Sequence, residues 1–108
     1  MANTFKFKGV ALATGSETAL LTAGSDETII LKSIRVTNNT SNTPTISMDV
    51  SDNSASAEYT ILHTETLAAN TAVEILTVPL VLEASDAVKA TISSSDSIHF
   101  GISYLVIT

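Results

Sequence analysis

Apolar residues recur at every second position along most of this chain, and this alternation constrains the fold more than any other feature. The clearest run lies near the C-terminus: Ile98, Phe100, Ile102, Tyr104 and Val106. Successive side chains of a β-strand point to opposite faces, so the pattern predicts half-buried strands. Helical periodicity is not sustained over 11 or more residues, and Leu67–Val78 is the only stretch in which a helical turn is conceivable.

Short polar turns separate the alternating segments. The predicted strands are Thr4–Ala11, Thr18–Thr22, Thr28–Thr37, Thr45–Val50, Glu58–Thr64, Ala72–Val78, Leu80–Leu82, Ala87–Ser93 and Ile98–Ile107. Short strands at such regular spacing are typical of sandwiches and jelly rolls. We therefore predict a single all-β domain over residues 1–108, an antiparallel β-sandwich or jelly roll of about eight short strands. The turn formers of Asn38–Pro44 predict an exposed loop.

The apolar residues of the longest apolar segment, Thr28–Thr37, do not all fall on one face of a regular strand. Ile29 and Leu31 share one face of a regular strand, whereas Ile34 and Val36 would lie on the other. Two arrangements reconcile them: a β-bulge near Lys32, or a strand that bends from one sheet to the other.

The last strand is apolar on both faces, since Tyr104, Leu105, Val106 and Ile107 follow one another without a polar residue. An exposed strand of this kind would promote aggregation. We therefore expect it to be covered, either by loops of the same chain or by a neighbouring subunit.

Composition excludes several partner classes. The net charge is −6, and the cations number five: Lys6, Lys8, Lys32, Arg35 and Lys89. Nucleic acid and anionic membranes are bound through clustered cations, so neither is an expected partner. No apolar run reaches the ~20 residues of a membrane span. Because the chain has no cysteine, it has neither disulfides nor thiolate metal ligands.

Catalytic and cofactor residues are not predicted anywhere in the chain. His63 and Glu65 form the one His–carboxylate pair on a strand. Such a pair can act in acid–base chemistry or as half of a metal site, but a partly exposed polar pair near a strand end is the favoured interpretation. His99 lies opposite the apolar stripe of its strand and faces solvent or an interface. No serine stands in a nucleophile elbow. We therefore expect the protein not to be an enzyme.

One loop carries several oxygen ligands. Asp49, Asp52 and Asn53 lie within five positions, and hard cations such as calcium prefer such groups. The EF-hand pattern is not met. The sequence leaves open whether this loop binds an ion, and no metal ligand is assigned.

Three segments carry a family resemblance: Leu20–Gly24, which leads into Thr28–Asn39, and Leu80–Ala90, which precedes the final apolar strand. Together they resemble small virion structural proteins of tailed bacteriophages, particularly marine and cyanobacterial phages. Where that family would have a Pro-Ala-Gly turn before the long strand, this chain has Ala23–Asp26. The resemblance implies a β-sandwich with no catalytic residues and no cofactor. It also implies a capsid decoration or cement protein that binds the major capsid protein and stabilises the head, or else a neck, tail or fibre-associated module.

The resemblance also implies a homo-oligomer, with a trimer favoured, located in the virion after synthesis in the host cytoplasm. We expect the contacts to come from both terminal strands: Phe5, Lys6, Phe7 and Lys8, and Tyr104, Leu105, Val106 and Ile107. The two lysines share a strand face and fit an acidic partner. An adhesin or carbohydrate-binding module is a further alternative, but a chain with five aromatic residues has few side chains for stacking on sugars.

Overall fold

Nine β-strands form the described part of the computed structural model, residues 2–76 and 78–108. They are β1 (Asn3–Leu12), β2 (Thr18–Thr22), β3 (Thr28–Asn38), β4 (Thr45–Asp52), β5 (Ala57–Thr66), β6 (Ala72–Glu74), β7 (Leu80–Leu82), β8 (Ala87–Ile92) and β9 (Ile98–Ile107). The predicted all-β class is confirmed. None of the described residues forms a helix that is long and apolar enough to cross a membrane.

The strands form two antiparallel sheets that pack as a sandwich. Sheet A has the order β1-β9-β3, with β6 and β7 both paired to the far side of β3, and sheet B has the order β2-β8-β4-β5. β6 pairs with Arg35–Thr37 and β7 with Ile29–Leu31, so the two act as one interrupted strand. Each sheet then has four positions, and the connectivity is that of a jelly roll.

The interruption changes one predicted strand. Ala72–Val78 was expected to be continuous, but β6 ends at Glu74. The amide of Ile75 still donates to the Ile34 carbonyl at 2.8 Å, and pairing with β3 resumes in β7, just after Pro79. Proline has no amide to donate to a ladder. Thr77, within the predicted strand, lies outside the described residues.

A β-bulge resolves the register conflict in β3. Leu31 pairs with Tyr104 and Ser33 with Ser103, so Lys32 is an extra residue in β3. The bulge brings Leu31 and Ile34 to the same side of the sheet, where both are buried. Of the two predicted arrangements the bulge is therefore confirmed, because β3 stays in sheet A throughout.

The last strand is not an edge. β9 lies between β1 and β3, and it pairs with both along nearly its full length. Tyr104 and Val106 point into the core, while Leu105 and Ile107 are partly exposed on the other side. Strands β1 and β3 of the same chain, and not loops, therefore cover both edges of β9. Cover of its outward side by a neighbouring subunit stays a prediction.

The space between the sheets is filled by aliphatic side chains. The fully buried ones include Leu20, Ile29, Leu31, Ile34, Ile46, Met48, Leu82, Ile92, Ile98 and Ile102, together with Phe100 at 2% exposure. Burial of each such side chain contributes about 1.5–3 kcal/mol. This core makes the sandwich a firm support for whatever its outer surfaces contact.

Each end of the sandwich has one buried polar side chain that holds the loops there, Asn38 at one end and Asp86 at the other. Asn38 donates from Nδ2 to the Leu67 carbonyl, so this residue belongs to the interior and not to the exposed loop expected there. At the opposite end, Asp86 accepts from the amides of Asn53 and Glu83, each at 2.9 Å. Every buried polar side-chain atom of the described residues has a hydrogen-bond partner.

Candidate functional site

The solvent side of sheet A is the candidate site, and we call it face A. Residues directly opposite each other in an antiparallel pair project from the same face, so the ladder pairings define its members. They are Asn3, Phe5, Phe7, Gly9 and Ala11 of β1; His99, Gly101, Ser103, Leu105 and Ile107 of β9; Thr28, Ile30, Ser33, Arg35 and Thr37 of β3; Ala72 and Glu74 of β6; and Val81 of β7.

One half of face A is an exposed apolar patch. Phe5 stands opposite Leu105, Leu105 opposite Ile30, and Ile30 opposite Val81, which makes an apolar row across four strands. Phe5 is 75% exposed and Val81 53%. Single exposed apolar residues are common on proteins, but a contiguous patch is typical of a surface that a partner covers.

The other half of face A is a groove of about 550 Å³ between Phe7, Arg35 and His99. Gly9 and Gly101 pair with each other on its floor. A methyl group added at Gly101 would lie 3.2 Å from Phe7 Cε1, and one at Gly9 3.6 Å from Cε2. The ring of Phe7 therefore lies over the two glycines, yet it remains 70% exposed.

One cation, Arg35, lines the groove. Glu74 pairs with Arg35 in the ladder, but its carboxylate accepts from Ser33 Oγ and from the Ile34 amide, both at 2.8 Å. No described carboxylate lies within 4.0 Å of the Arg35 guanidinium. The strands of sheet A hold four cations and one carboxylate, a net charge of +3 in a chain whose net charge is −6. Two of the cations, Lys6 and Lys8, project from the core side of β1 and not from face A. An acidic group of a partner would complement the Arg35 guanidinium.

The solvent side of sheet B, face B, has the opposite character. It presents Ser47, Asp49, Ser51, Glu58, Thr60, Lys89 and Thr91. Lys89 Nζ lies 3.4 Å from Glu58 Oε2. Desolvation and the negative charge of Glu58 raise the pKa of Glu17, which lies beside this face. The strands of sheet B hold four carboxylates and one cation, a net charge of −3.

Two groups of carboxylates have the spacing of metal ligands: Glu17, Asp49 and Glu58 on face B, and Asp52, Glu83 and Asp86 at one end of the sandwich. The loop predicted as a possible ion site is therefore divided, because Asp49 and Asp52 belong to different groups. Asn53 contributes its backbone amide to Asp86. The Asp86 carboxylate already accepts two backbone amides, which accounts for its burial.

The eight predicted contact residues divide by burial. Tyr104 and Val106 belong to the core, at 9% and 5% exposure. Lys6 and Lys8 project from the core side of β1, opposite Tyr104 and Ile102. Both are nevertheless exposed, because β1 is the edge strand of sheet A. The remaining four lie on face A: Phe5, Phe7, Leu105 and Ile107. The surface is therefore carried by β1 and by the outward residues of β9.

Two parts of the groove were not predicted from the sequence, namely Arg35 and the paired glycines. A glycine within a strand indicates close approach by another group, and this signal could have identified Gly9 and Gly101. His99 faces solvent as expected. His63 and Glu65 are both exposed, and between them Thr64 has a positive φ of 56°, which breaks the alternation expected to align them.

No protein-family model matches this chain, and no curated protein is detectably similar in sequence. Solved structures share its fold. A Drosophila nucleoplasmin-like core, described in terms of pentamer formation and histone binding, has a TM-score of 0.53 and 16% identity over 91% of this chain and 96% of its own. A Bacillus endospore appendage protein that forms disulfide-linked pili has a TM-score of 0.51 and 10% identity, over 98% and 88%.

A third neighbour is a chain of infectious bursal disease virus, with a TM-score of 0.58 and 9% identity. The match covers 96% of this chain but only 32% of the viral one, so this chain spans about a third of that protein. At these identities the likeness establishes the jelly-roll fold alone.

Proposed function

We propose that this chain is a non-enzymatic structural protein of a tailed-bacteriophage virion, and more specifically a capsid decoration or cement protein. It docks through face A on the major capsid protein and stabilises the head. The observation that carries the proposal is the apolar patch of face A, where Phe5 and Phe7 stand 75% and 70% exposed on a firmly packed sheet. The protein is then made in the host cytoplasm and resides in the particle.

The physical chemistry of face A fits such a role. Burial of aromatic side chains supplies most of the energy of many interfaces, and cationic groups beside them select an acidic partner. Arg35 and His99 line the groove next to Phe7. The groove has few other side chains that would be costly to desolvate, since Ser33, Ser103 and Thr37 are its other polar groups. The carboxylate of Glu74 beside it already accepts from Ser33 and from the Ile34 amide.

The shared fold supports a role in assembly. Of the three neighbours described above, one is a chain of a virus, one belongs to appendages that form pili, and one is described in terms of pentamer formation. The likeness to the pilus protein favours one second candidate, a neck, tail or fibre-associated module of the virion that uses the same face. Copy number separates the two candidates, since a decoration protein occupies many positions on the shell and a neck module only one vertex.

The test is made on particles of the source phage. Intact virions are imaged by cryo-electron microscopy, and the chain is located and its copies are counted. Many copies at icosahedral positions, with face A against the shell, are expected. A few copies at one vertex would select the neck or tail module, and absence of the chain from purified particles would overturn both.

A further inference from the structure

The sandwich has two long edges. β1 and β5 each have ten residues and each ends the strand order of its sheet. The other edge positions are short, because β2 has five residues and β6 and β7 have three each. Residues Asn3–Gly9 of β1 are exposed on both sides, and β5 is exposed except at Ala57 and Leu62, which are partly buried.

The two long edges carry opposite charges. β1 contains Lys6 and Lys8 and no carboxylate, whereas β5 contains Glu58 and Glu65 and neither lysine nor arginine. All four side chains are exposed. Lys89 lies 3.4 Å from Glu58, but no described cation lies within 4.0 Å of the Glu65 carboxylate.

Exposed apolar side chains accompany the charges on both edges. The set comprises Phe5 at 75% and Phe7 at 70% on β1, and Tyr59 at 56% and Ile61 at 37% on β5. An edge with such side chains invites association, and proteins restrict it with charge. The charges of each edge are of a single sign, and they select the partner. Phe5 and Phe7 project from face A, so a strand that lies beside β1 leaves them available on that face.

The charge pattern decides which edges can meet. Like charges placed opposite each other on neighbouring strands destabilise their pairing, whereas opposite charges stabilise it. Two β1 edges would bring lysines together, and two β5 edges would bring glutamates together. Contact between β1 and β5 is the combination that the charges favour, and these edges belong to different sheets.

We infer that β1 of one copy docks beside β5 of a second copy of this chain. The contact is heterologous, since it joins two different surfaces, and its repetition forms a closed ring or a filament. Neither edge of a given copy is used twice, so every interior copy has two neighbours. The inference goes beyond the proposed function, because face A stays free to dock on another protein.

Charge reversal on the purified chain tests this inference. The β1 reversal carries Lys6→Glu and Lys8→Glu, and the β5 reversal carries Glu58→Lys and Glu65→Lys. Self-association is measured by sedimentation velocity at low salt, with circular dichroism to verify the fold. The wild-type chain is expected to associate, and each reversal to weaken association by about tenfold or more, because the two edges then carry charges of the same sign and repel each other.

Mixing provides the sharpest outcome. The β1 reversal has two acidic edges and the β5 reversal two basic ones, so an equimolar mixture is expected to associate although neither variant does alone. Combining all four substitutions in one chain is expected to restore association as well. Folded variants that fail to associate in the mixture would overturn the inference, as would a monomeric wild-type chain.

A matched control separates the edges from face A. Lys32→Glu with Arg35→Glu changes the net charge by the same amount as the β1 reversal, but on β3, and it is expected to leave self-association unchanged. Loss of association in this control would overturn the inference in favour of a contact through face A. These measurements contain no phage particle, so a negative result leaves the proposed docking on the capsid untouched. In the same way, failure to find the chain on the capsid would leave the β1–β5 contact untouched.

Discussion

Face A and face B are the two sides of one sandwich, and they differ in almost every property except backbone geometry. Face A carries exposed phenylalanines and a groove with a glycine floor and one arginine, whereas face B presents mostly hydroxyls and carboxylates on strands of net charge −3. Both sheets bury the same kind of aliphatic side chain on their inner sides. The difference teaches that the core determines the fold, while the outward set of residues determines which side is a contact surface.

Removal of the two exposed phenylalanines of face A is expected to have the largest effect on particle binding. Phe5→Ser with Phe7→Ser should weaken binding to particles that lack the chain by roughly 30-fold or more, since exposed aromatic anchors contribute about 2 kcal/mol or more to interfaces. Stability should change little, because both side chains are already mostly in water. Binding is measured by co-sedimentation with particles, and stability by chemical denaturation.

The matched control lies on face B, where Thr60→Ala with Thr91→Ala removes two outward side chains of sheet B. It is expected to leave particle binding unchanged. Equal loss of binding in the two variants would show that the faces do not differ in function.

Charge reversal on the two faces is expected to have the next largest effect. Arg35→Glu should weaken particle binding by about tenfold, because an acidic partner would then face a carboxylate in the groove. Lys89→Glu, on face B, should leave binding unchanged. It also breaks the exposed Lys89–Glu58 pair, which stabilises the fold by at most about 1 kcal/mol. Tighter binding by Arg35→Glu would contradict the assignment of an acidic partner.

A single methyl group sharpens the comparison further. Gly101→Ala places a Cβ 3.2 Å from Phe7 Cε1, so the exposed ring must shift by a few tenths of an ångström. Alanine is favoured over glycine within strands by about 0.5–1 kcal/mol, so we expect stability to be unchanged or slightly higher. Particle binding should nevertheless fall a few-fold, because the ring and the groove floor change together. Unchanged binding would show that the groove is not part of the contact.

The smallest effect is electrostatic and belongs to face B. The pKa of Glu17 lies above the ordinary value of 4.5, through desolvation and then the charge of Glu58. Glu58→Gln should lower this pKa and Lys89→Gln should raise it further, as measured by NMR titration of the side chain. A shift of the opposite sign in either variant would contradict this description of face B.

The same shift has a consequence for stability. Since the pKa of Glu17 is raised in the folded state, protonation favours folding. The favourable contribution is fully present below the unfolded-state pKa and is lost as the pH rises through the raised value. Because Glu17 is exposed, this contribution is small.

Much of the fold could be predicted from the sequence, because period-two alternation reports burial directly. The bulge beside Lys32 is a good example, since Leu31 and Ile34 can share the core only if one residue is inserted. Alternation does not show which strands are neighbours. For this reason the central position of β9 was missed, and a strand that is apolar on both sides was expected to need a cover.

The candidate site could be predicted only in part. Of the predicted contact residues, Phe5 and Phe7 are exposed, whereas Tyr104 and Val106 proved to be core residues. Arg35 lies near Phe7 because β9 pairs with β3 on one side and with β1 on the other. Local sequence does not encode these long-range pairings. Asn38 has loop composition, yet tertiary contacts bury it.

The most direct test of the central claim is the orientation of the sandwich in the assembled particle, determined by cryo-electron microscopy. We predict that face A, with Phe5 and Phe7, is buried against an acidic surface of another virion protein, while face B points to solvent. A particle in which face B lies against the shell and Phe5 and Phe7 stay exposed would contradict the account.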